Sequence, residues 1–315
     1  MEMNVKRSMK TVVTPSRPTQ RPPHSAVPAE GGGLMSLSPT DLAFVANLVR
    51  RESSIVLGPE KEYLIEARLV PVARETGAAN VADLVARFQR SPDPRVRQRV
   101  VEALTTNETS WFRDREPFRA LTDMVVPDLV RARASSRHLR VWSAACSSGQ
   151  EPYSLAIDLQ RTLPPGWTYE ILGTDISTEM LDRARKGEFS QVEVNRGLPA
   201  QLLLEHFERV GAYWRIAPGL RRAISFQQLN LAVPMPAMAP FDVVFLRNVL
   251  IYFDVETKRS VLRSVGRLLR PDGWLFLGGA ETTIGVDDNY VRVTAGRTSA
   301  YRLRSGAPLA AAGKG

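Results

Sequence analysis

An α/β fold with a mainly parallel sheet, preceded by a small all-helical domain, is what this sequence predicts, and three observations predict it. Between Leu34 and Leu104 apolar residues recur at helical spacing with no strand signal among them. From Leu139 onward, short runs rich in β-branched and aromatic residues alternate with amphipathic stretches, the pattern of a sheet covered by helices on both faces. At the first joint between strand and helix, residues 144–149 read Ala-Ala-Cys-Ser-Ser-Gly, and so little side-chain bulk at a strand's carboxyl end lets a ligand approach the backbone.

The elements follow in order. Residues 1–33 scatter Lys and Arg among Pro, Ser and Gly without the apolar core of a signal peptide, and read as a disordered tail. In the helical domain, 34–104, Ser38-Pro39-Thr40-Asp41 starts a helix, with Ser38 as N-cap and Leu42, Val45, Leu48 and Val49 on one face. Three more helical stretches follow, 61–74 on Leu64, Ile65, Leu69 and Val72, 81–88 on Leu84, Val85 and Phe88, and 96–104 on Val96, Val100 and Leu104. The second domain spans 105–307. Its strands are expected at Leu139–Trp142, Tyr169–Thr174 (ending in Asp175), Ile224–Gln228, Phe241–Leu246 and Trp274–Leu277, the last after a Pro271-Asp272-Gly273 turn, and Asp254 caps a helix over 255–269. Residues 189–217 break the alternation, with a helical piece at 202–207 and an aromatic run Tyr213-Trp214-Arg215-Ile216, and read as an inserted small antiparallel unit. Residues 308–315 read as a flexible tail.

Composition narrows the function classes. The 315 residues carry a formal charge of +9, which fits an acidic partner (nucleic acid, membrane surface or acidic protein) and equally an Arg-rich solvated surface. Cys146 is the only cysteine, so no intrachain disulfide or cysteine-based metal cluster can form; it reads as a small packing residue in a reducing, cytoplasmic setting. The three histidines, His24, His138 and His206, are far apart and are assigned to tail, loop and helix surface, which argues against a zinc site or a His-based triad. No apolar run is long enough to span a bilayer.

Chemistry concentrates near the strand ends. Glu151, just past the small-residue turn, suits ribose hydroxyls or an ammonium better than phosphate. Neither GxGxxG nor a P-loop Lys is present. Asp175 sits where an open α/β sheet places an acid for ribose hydroxyls, a position that fits NAD enzymes and methyltransferases alike. The missing phosphate clamp favours S-adenosylmethionine. Taken alone, the turn fits a cofactor loop and a tight strand–helix corner equally well. Arg247-Asn248 ends an apolar strand with a polar pair, and Thr105 to Arg113 packs hydrogen-bonding groups, Trp111, Phe112 and a guanidinium into one window.

Five segments in this order, TTNETSWFRD, RVWSAACSSGQEPYSLAI, GTDIS, LNL and FDVVFLRNVLIYFD, resemble the CheR-type chemoreceptor glutamate O-methyltransferases. The resemblance runs from about Leu37 to Arg302. It implies a Rossmann-like S-adenosylmethionine-dependent methyltransferase domain with an inserted small antiparallel β-subdomain, preceded by an all-helical N-terminal domain. It puts cofactor contacts on Asn107, Thr109, Arg113, Glu151, Asp175, Asn230, Leu231, Arg247 and Asn248, with Tyr252 beside the transferred methyl and S-adenosylhomocysteine as the product. Arg113 and Tyr252 are assigned to catalysis through orientation, and Lys61, Arg68 and Arg74, taken as near a common helical face, to binding the receptor. Cys146 and Gln150 are mild departures from the family's turn.

The implied partners are cytoplasmic domains of methyl-accepting chemoreceptors, met by a monomer that needs no nucleic acid, membrane insertion or metal. A glutamate side chain has a pKa of about 4.3, so the acceptor is already an anion and no general base is required. Two rivals stand beside this reading. A nucleic-acid or small-molecule methyltransferase is favoured by the basic charge but lacks an Asn/Asp-Pro-Pro-Tyr motif and a Pro-Cys pair, and a cofactor-sensing regulatory module would transfer nothing.

Overall fold

The computed structural model describes residues 37–58 and 62–304; the expected tails at 1–33 and 308–315, together with Lys61, lie outside the described residues. Four helices come first, α1 (Pro39–Ser53), α2 (Glu62–Glu75), α3 (Val81–Arg90) and α4 (Pro94–Leu104). Side-chain caps set the starts of α1, α3 and α4: Ser38 Oγ accepts from the Asp41 amide at 3.1 Å, Asn80 Oδ1 from Asp83 at 2.8 Å and Asp93 Oδ1 from Arg95 at 2.7 Å. Val45, Leu48, Ile65, Leu69, Leu84, Phe88 and Val100 meet in one buried cluster. This satisfies the apolar stripe read from each helix.

The next helical stretch was not expected from the sequence. It comprises α5 (Glu116–Ala120), one π turn (Leu121–Val125) and α6 (Val126–Ala132). The stretch holds two prolines, Pro117 and Pro127. In the fold Pro117 lies in the first turn of α5, where a missing N–H is harmless, and the wide turn comes just before Pro127, which has no proton for the carbonyl one turn back.

The remaining elements are β1 (His138–Ala144), α7 (Gln150–Thr162), β2 (Thr168–Asp175), α8 (Thr178–Lys186), β3 (Glu188–Ser190), α9 (Gln191–Asn195), α10 (Ala200–His206), β4 (Phe207–Val210), β5 (Tyr213–Ile216), α11 (Pro218–Arg222), β6 (Ile224–Gln228), β7 (Phe241–Leu246), α12 (Val255–Leu268), β8 (Leu269–Leu277), β9 (Tyr290–Ala295) and β10 (Thr298–Leu303). A seven-stranded sheet runs β6-β2-β1-β7-β8-β10-β9. Its first five strands are parallel, and β10 is antiparallel to β8. The β9–β10 hairpin lies beyond the last strand read from sequence, because its Arg- and Thr-rich alternation buries little.

Central strands are apolar on both faces. Val141, Val243 and Phe245 pack with Leu121, Leu129, Leu155 and Leu159, whereas Trp142, Val244 and Leu246 pack with Val261, Leu262 and Val265 of α12. Alternation along β1 and β7 thus serves two helical layers. The insertion forms a three-stranded antiparallel sheet, β3-β5-β4. It grips the segment before α5: the Trp111 ring meets Phe189 and Phe207 edge-on at 4.9 and 5.3 Å, and the Trp111 amide donates to the Arg196 carbonyl at 3.0 Å. His206, expected on a helix surface, is instead buried at the end of α10, and burial lowers its pKa. No helix among the described residues is long and apolar enough to cross a membrane.

One half-buried acid, Asp158, makes stability depend on pH. Burial on α7 pushes the Asp158 carboxyl up to about 7, with Arg161 opposing and Asp123 adding to the rise. Because the folded value exceeds the ordinary 3.8, stability is complete below that value and is lost as pH rises through about 7. Asp158→Asn should therefore stabilise the fold at pH 8 by an amount on the order of 1–3 kcal/mol after solvent screening, read as a higher melting temperature. Melts at pH 4 should show the gain gone.

Candidate active site

Register brings the strand ends abreast, Ala144 beside Thr174 and Leu246, and Leu246 beside Leu277. The chain steps from β1 to β2 on one side while β7 lies on the other, so β1 and β7 flank the point where strand order reverses, the place where open α/β sheets bind ligands. A cleft of about 860 Å³, partly open to solvent, lies there. Residues 105–110 and Arg113 line it, together with Ser53 and Ile55 of the helical domain.

The turn between β1 and α7 explains its own composition. Ala145, Ser147 and Gly149 have φ of 60°, 49° and 96°, left-handed values that small residues tolerate best. A Cβ on Gly149 would lie 2.9 Å from that of Ala184. The turn is thus both a close strand–helix corner and one wall of the cleft. Cys146 is buried within it, and burial pushes its thiol well up, as suits a packing residue.

Asp175 anchors this corner. Its Oδ2 accepts from the Ser147 amide at 2.8 Å and its Oδ1 from the Ser177 amide at 2.9 Å. Burial pushes its pKa up while these amides oppose the rise. Since a carboxylate can accept about four hydrogen bonds, lone pairs remain for donors in the cleft. Glu151 accepts from Ser143 Oγ at 2.8 Å and from Arg247 Nη1 at 2.9 Å. Burial raises its pKa and Arg247 draws it back.

Arg247 itself is buried, and its Nη2 donates to the Arg113 carbonyl at 2.8 Å and to Asp114 Oδ2 at 2.6 Å. It therefore braces the cleft wall. Asn230 likewise has its side chain engaged, donating to the Glu52 carbonyl at 2.7 Å and accepting from the Ala232 amide at 3.0 Å. Asn107 accepts from Thr105 Oγ1 at 3.2 Å, and its carbonyl takes a hydrogen bond from Ser147 Oγ at 2.8 Å. Arg113 reaches the Glu108 carbonyl at 3.0 Å. Asn248 has a left-handed φ of 58°. Tyr252, half-buried, accepts at its carbonyl from the Val56 amide at 3.0 Å.

Asn107, Thr109, Arg113, Glu151, Asp175, Asn230, Leu231, Arg247, Asn248 and Tyr252 all line this one cleft. Arg68 and Arg74 are not brought to one face of α2. Arg68 is half-buried and donates to the carbonyls of Leu104 and Thr105 at 3.3 and 2.8 Å, whereas Arg74 is exposed. Six residues turn a helix to about 120° apart, so the two do not share a face, and Lys61 lies outside the described residues. Sequence reading missed Ser143, Ser147 and Asp114, which hold the site together through bonds between distant segments. Ser147 was visible as part of the small-residue turn, but nothing in the spacing marked Asp114 as the partner of Arg247.

The donor set suits S-adenosylmethionine. Two buried carboxylates stand ready for hydroxyl or ammonium donors, and the basic groups of the lining are Arg113 and the internally paired Arg247, which makes no phosphate clamp. Among the described residues no cluster of three His, Cys, Asp or Glu is arranged to hold a metal.

Comparisons with known proteins agree. Residues 107–298 match the family model described as CheR methyltransferase, SAM binding domain, and residues 40–105 match CheR methyltransferase, all-alpha domain. Chemotaxis protein methyltransferase 1 of Pseudomonas aeruginosa is 38% identical over 278 residues, covering 86% of this chain and 100% of that protein. The chemotaxis protein methyltransferase Cher2 of Pseudomonas putida is 38% identical over 82% of this chain and 96% of its own, and the chemotaxis protein methyltransferase of Escherichia coli is 34% identical over 78% and 86%. With both of its domains matched in order, the chain belongs to the CheR family of S-adenosylmethionine-dependent chemotaxis methyltransferases.

Proposed function

We propose that this chain methylates glutamate side chains on the cytoplasmic helices of chemoreceptors, forming methyl esters for sensory adaptation. One observation carries the choice of acceptor: among the described residues none that lines the cleft is His, Lys or Cys. Of the acids lining it, Glu151 and Asp175 already accept hydrogen bonds from protein donors, and Glu108 accepts from Arg196 at 3.0 Å. An acceptor that must lose a proton would find no ready base there, and an ionised carboxylate needs none. When bound, S-adenosylmethionine supplies a methyl group on a cationic sulfur.

The chain's own residues do the rest. Asp175 accepts from ribose hydroxyls, Glu151 from the amino group, and Asn107, Thr109, Asn230, Leu231 and Asn248 shape the remaining contacts. Arg247 acts from behind, by holding Glu151 charged and in place. Arg113 and Tyr252 aim the incoming carboxylate, and a grip stronger in the ground state than at transfer would slow the reaction, so Arg113 serves orientation more than attraction. Alignment in a dehydrated site can supply up to roughly 7–11 kcal/mol. Arg74, at the exposed end of α2, is left as the steering charge for an acidic receptor helix. We place the reaction in the cytoplasm and the enzyme as a monomer.

The test uses methyl-labelled cofactor with receptor cytoplasmic fragments. Base-labile label on receptor is expected, and Arg113→Ala and Tyr252→Phe at saturating cofactor should each slow single-turnover transfer about tenfold or more. Label appearing on nucleic acid, or no transfer at all, would overturn the acceptor; unchanged rates in both variants would remove these two residues from the chemistry.

A further inference from the structure

The segment after β7 closes into a 3-10 turn, Leu250–Tyr252, and one side chain holds the backbone that leads into it. Its backbone amides at Asn248, Val249 and Ile251 all turn toward one side chain, that of Glu281. Glu281 Oε2 accepts from Asn248 at 2.8 Å and from Gly278 at 2.7 Å, and Oε1 accepts from Val249 at 2.9 Å and Ile251 at 3.3 Å. The residue is 9% exposed, and it is not among the ion pairs of the described residues. Four backbone dipoles, rather than a cation, surround its charge.

Conformation and packing both point to the same contact. Asn248 holds a left-handed φ of 58°, a conformation that asparagine tolerates better than most non-glycine residues. The end of β8 comes unusually close: a Cβ on Gly278 would lie 2.7 Å from Glu281 Oε2 and 2.8 Å from Asn248 Nδ2. The Glu281 amide donates to the Gly278 carbonyl at 2.9 Å, closing a turn that presents the carboxylate. Glu281 does not line the cleft, but Asn248, Val249 and Tyr252 do.

We propose that Glu281 is a positioning residue for methyl transfer, fixing through its bonds to the 248–251 backbone the cofactor contact of Asn248 and the place of Tyr252. The inference rests on the roles given to those two residues above. A carboxylate is required because all four partners donate. Glutamine would turn an N–H toward two of the amides, leaving them without an acceptor.

The experiment compares full-length wild type, Glu281→Gln, Tyr252→Phe and the double variant by single-turnover methylation of receptor fragments at saturating cofactor, with S-adenosylhomocysteine affinity measured by calorimetry and thermal melts alongside. Glu281→Gln should slow transfer about 10–100-fold and weaken S-adenosylhomocysteine binding about three- to tenfold. In the double variant the loss should scarcely exceed that of the worse single variant, because both act through one side chain. Gly278→Ala, which crowds the same bonds without altering the carboxylate, should reproduce the pattern if Glu281→Gln folds poorly. Rates and affinity within twofold of wild type, or losses that multiply in the double variant, would overturn the proposal. Should wild type label no receptor, the acceptor assignment falls, while the affinity comparison with Asn248→Ala still decides whether Glu281 acts through Asn248.

Discussion

Arg247→Met should abolish measurable cofactor binding and lower the unfolding free energy by about 3–5 kcal/mol. The side chain is 1% exposed and joins two carboxylates, Glu151 at 13% exposure and Asp114 at 51%. Most of the loss belongs to Glu151, because a half-exposed acid such as Asp114 keeps much of its hydration. Without its partner Glu151 is a buried, uncompensated charge, and its carboxyl, already raised by burial, must rise further. The sign of the pH dependence follows. A folded pKa above the unfolded value means stability is retained at low pH and lost as pH climbs through the folded value. The variant should therefore lie nearest wild type in acid and diverge toward alkaline pH, in denaturant titrations at pH 5, 7 and 8.5. Arg247→Lys offers one point charge in place of a fork and should recover only part of the loss; full recovery would show that the two-sided brace is unnecessary.

Asp175→Ala is expected to weaken S-adenosylhomocysteine binding at least a hundredfold. Two effects combine. The ribose loses charged acceptors, at about 1.5–3 kcal/mol for a hydrogen bond to a charged group. The Ser147 and Ser177 amides lose the carboxylate that fixes the turn after β1 and the start of α8. Asp175→Asn keeps one acceptor oxygen and should fall between the two in calorimetry. Wild-type affinity in the asparagine variant would mean that shape at this corner, rather than charge, holds the ligand.

How far the sequence discloses this arrangement depends on how local each cause is. Ser38 caps α1 as its neighbours announce, and β1 and β7 read as buried strands because Val141, Trp142, Val243 and Val244 alternate between two covered faces. Asp175 was legible from its place at a strand end. Trp111 was visible but unexplained, since its meaning lies with Phe189 and Phe207 across the insertion. Glu281 was overlooked for the same reason: its partners Asn248 and Val249 lie 33 and 32 positions earlier in the chain. Arg68 misled because charge and spacing cannot say whether a guanidinium faces water or the carbonyls at a helix end. The stretch from 116 to 132 carries Pro117 and Pro127, which the first turn of α5 and the end of the wide turn accommodate.

Ser53 and Ile55 line the cleft, Asn230 reaches the Glu52 carbonyl, and the amide of Val56 is bonded to the carbonyl of Tyr252. The amino-terminal bundle is in that sense masonry of the pocket as well as a neighbour to it. Whatever steadies the bundle steadies the pocket too, and because such linkage is reciprocal, a filled pocket would in turn steady the bundle. Severing the chain between the two domains would then open one wall of the pocket.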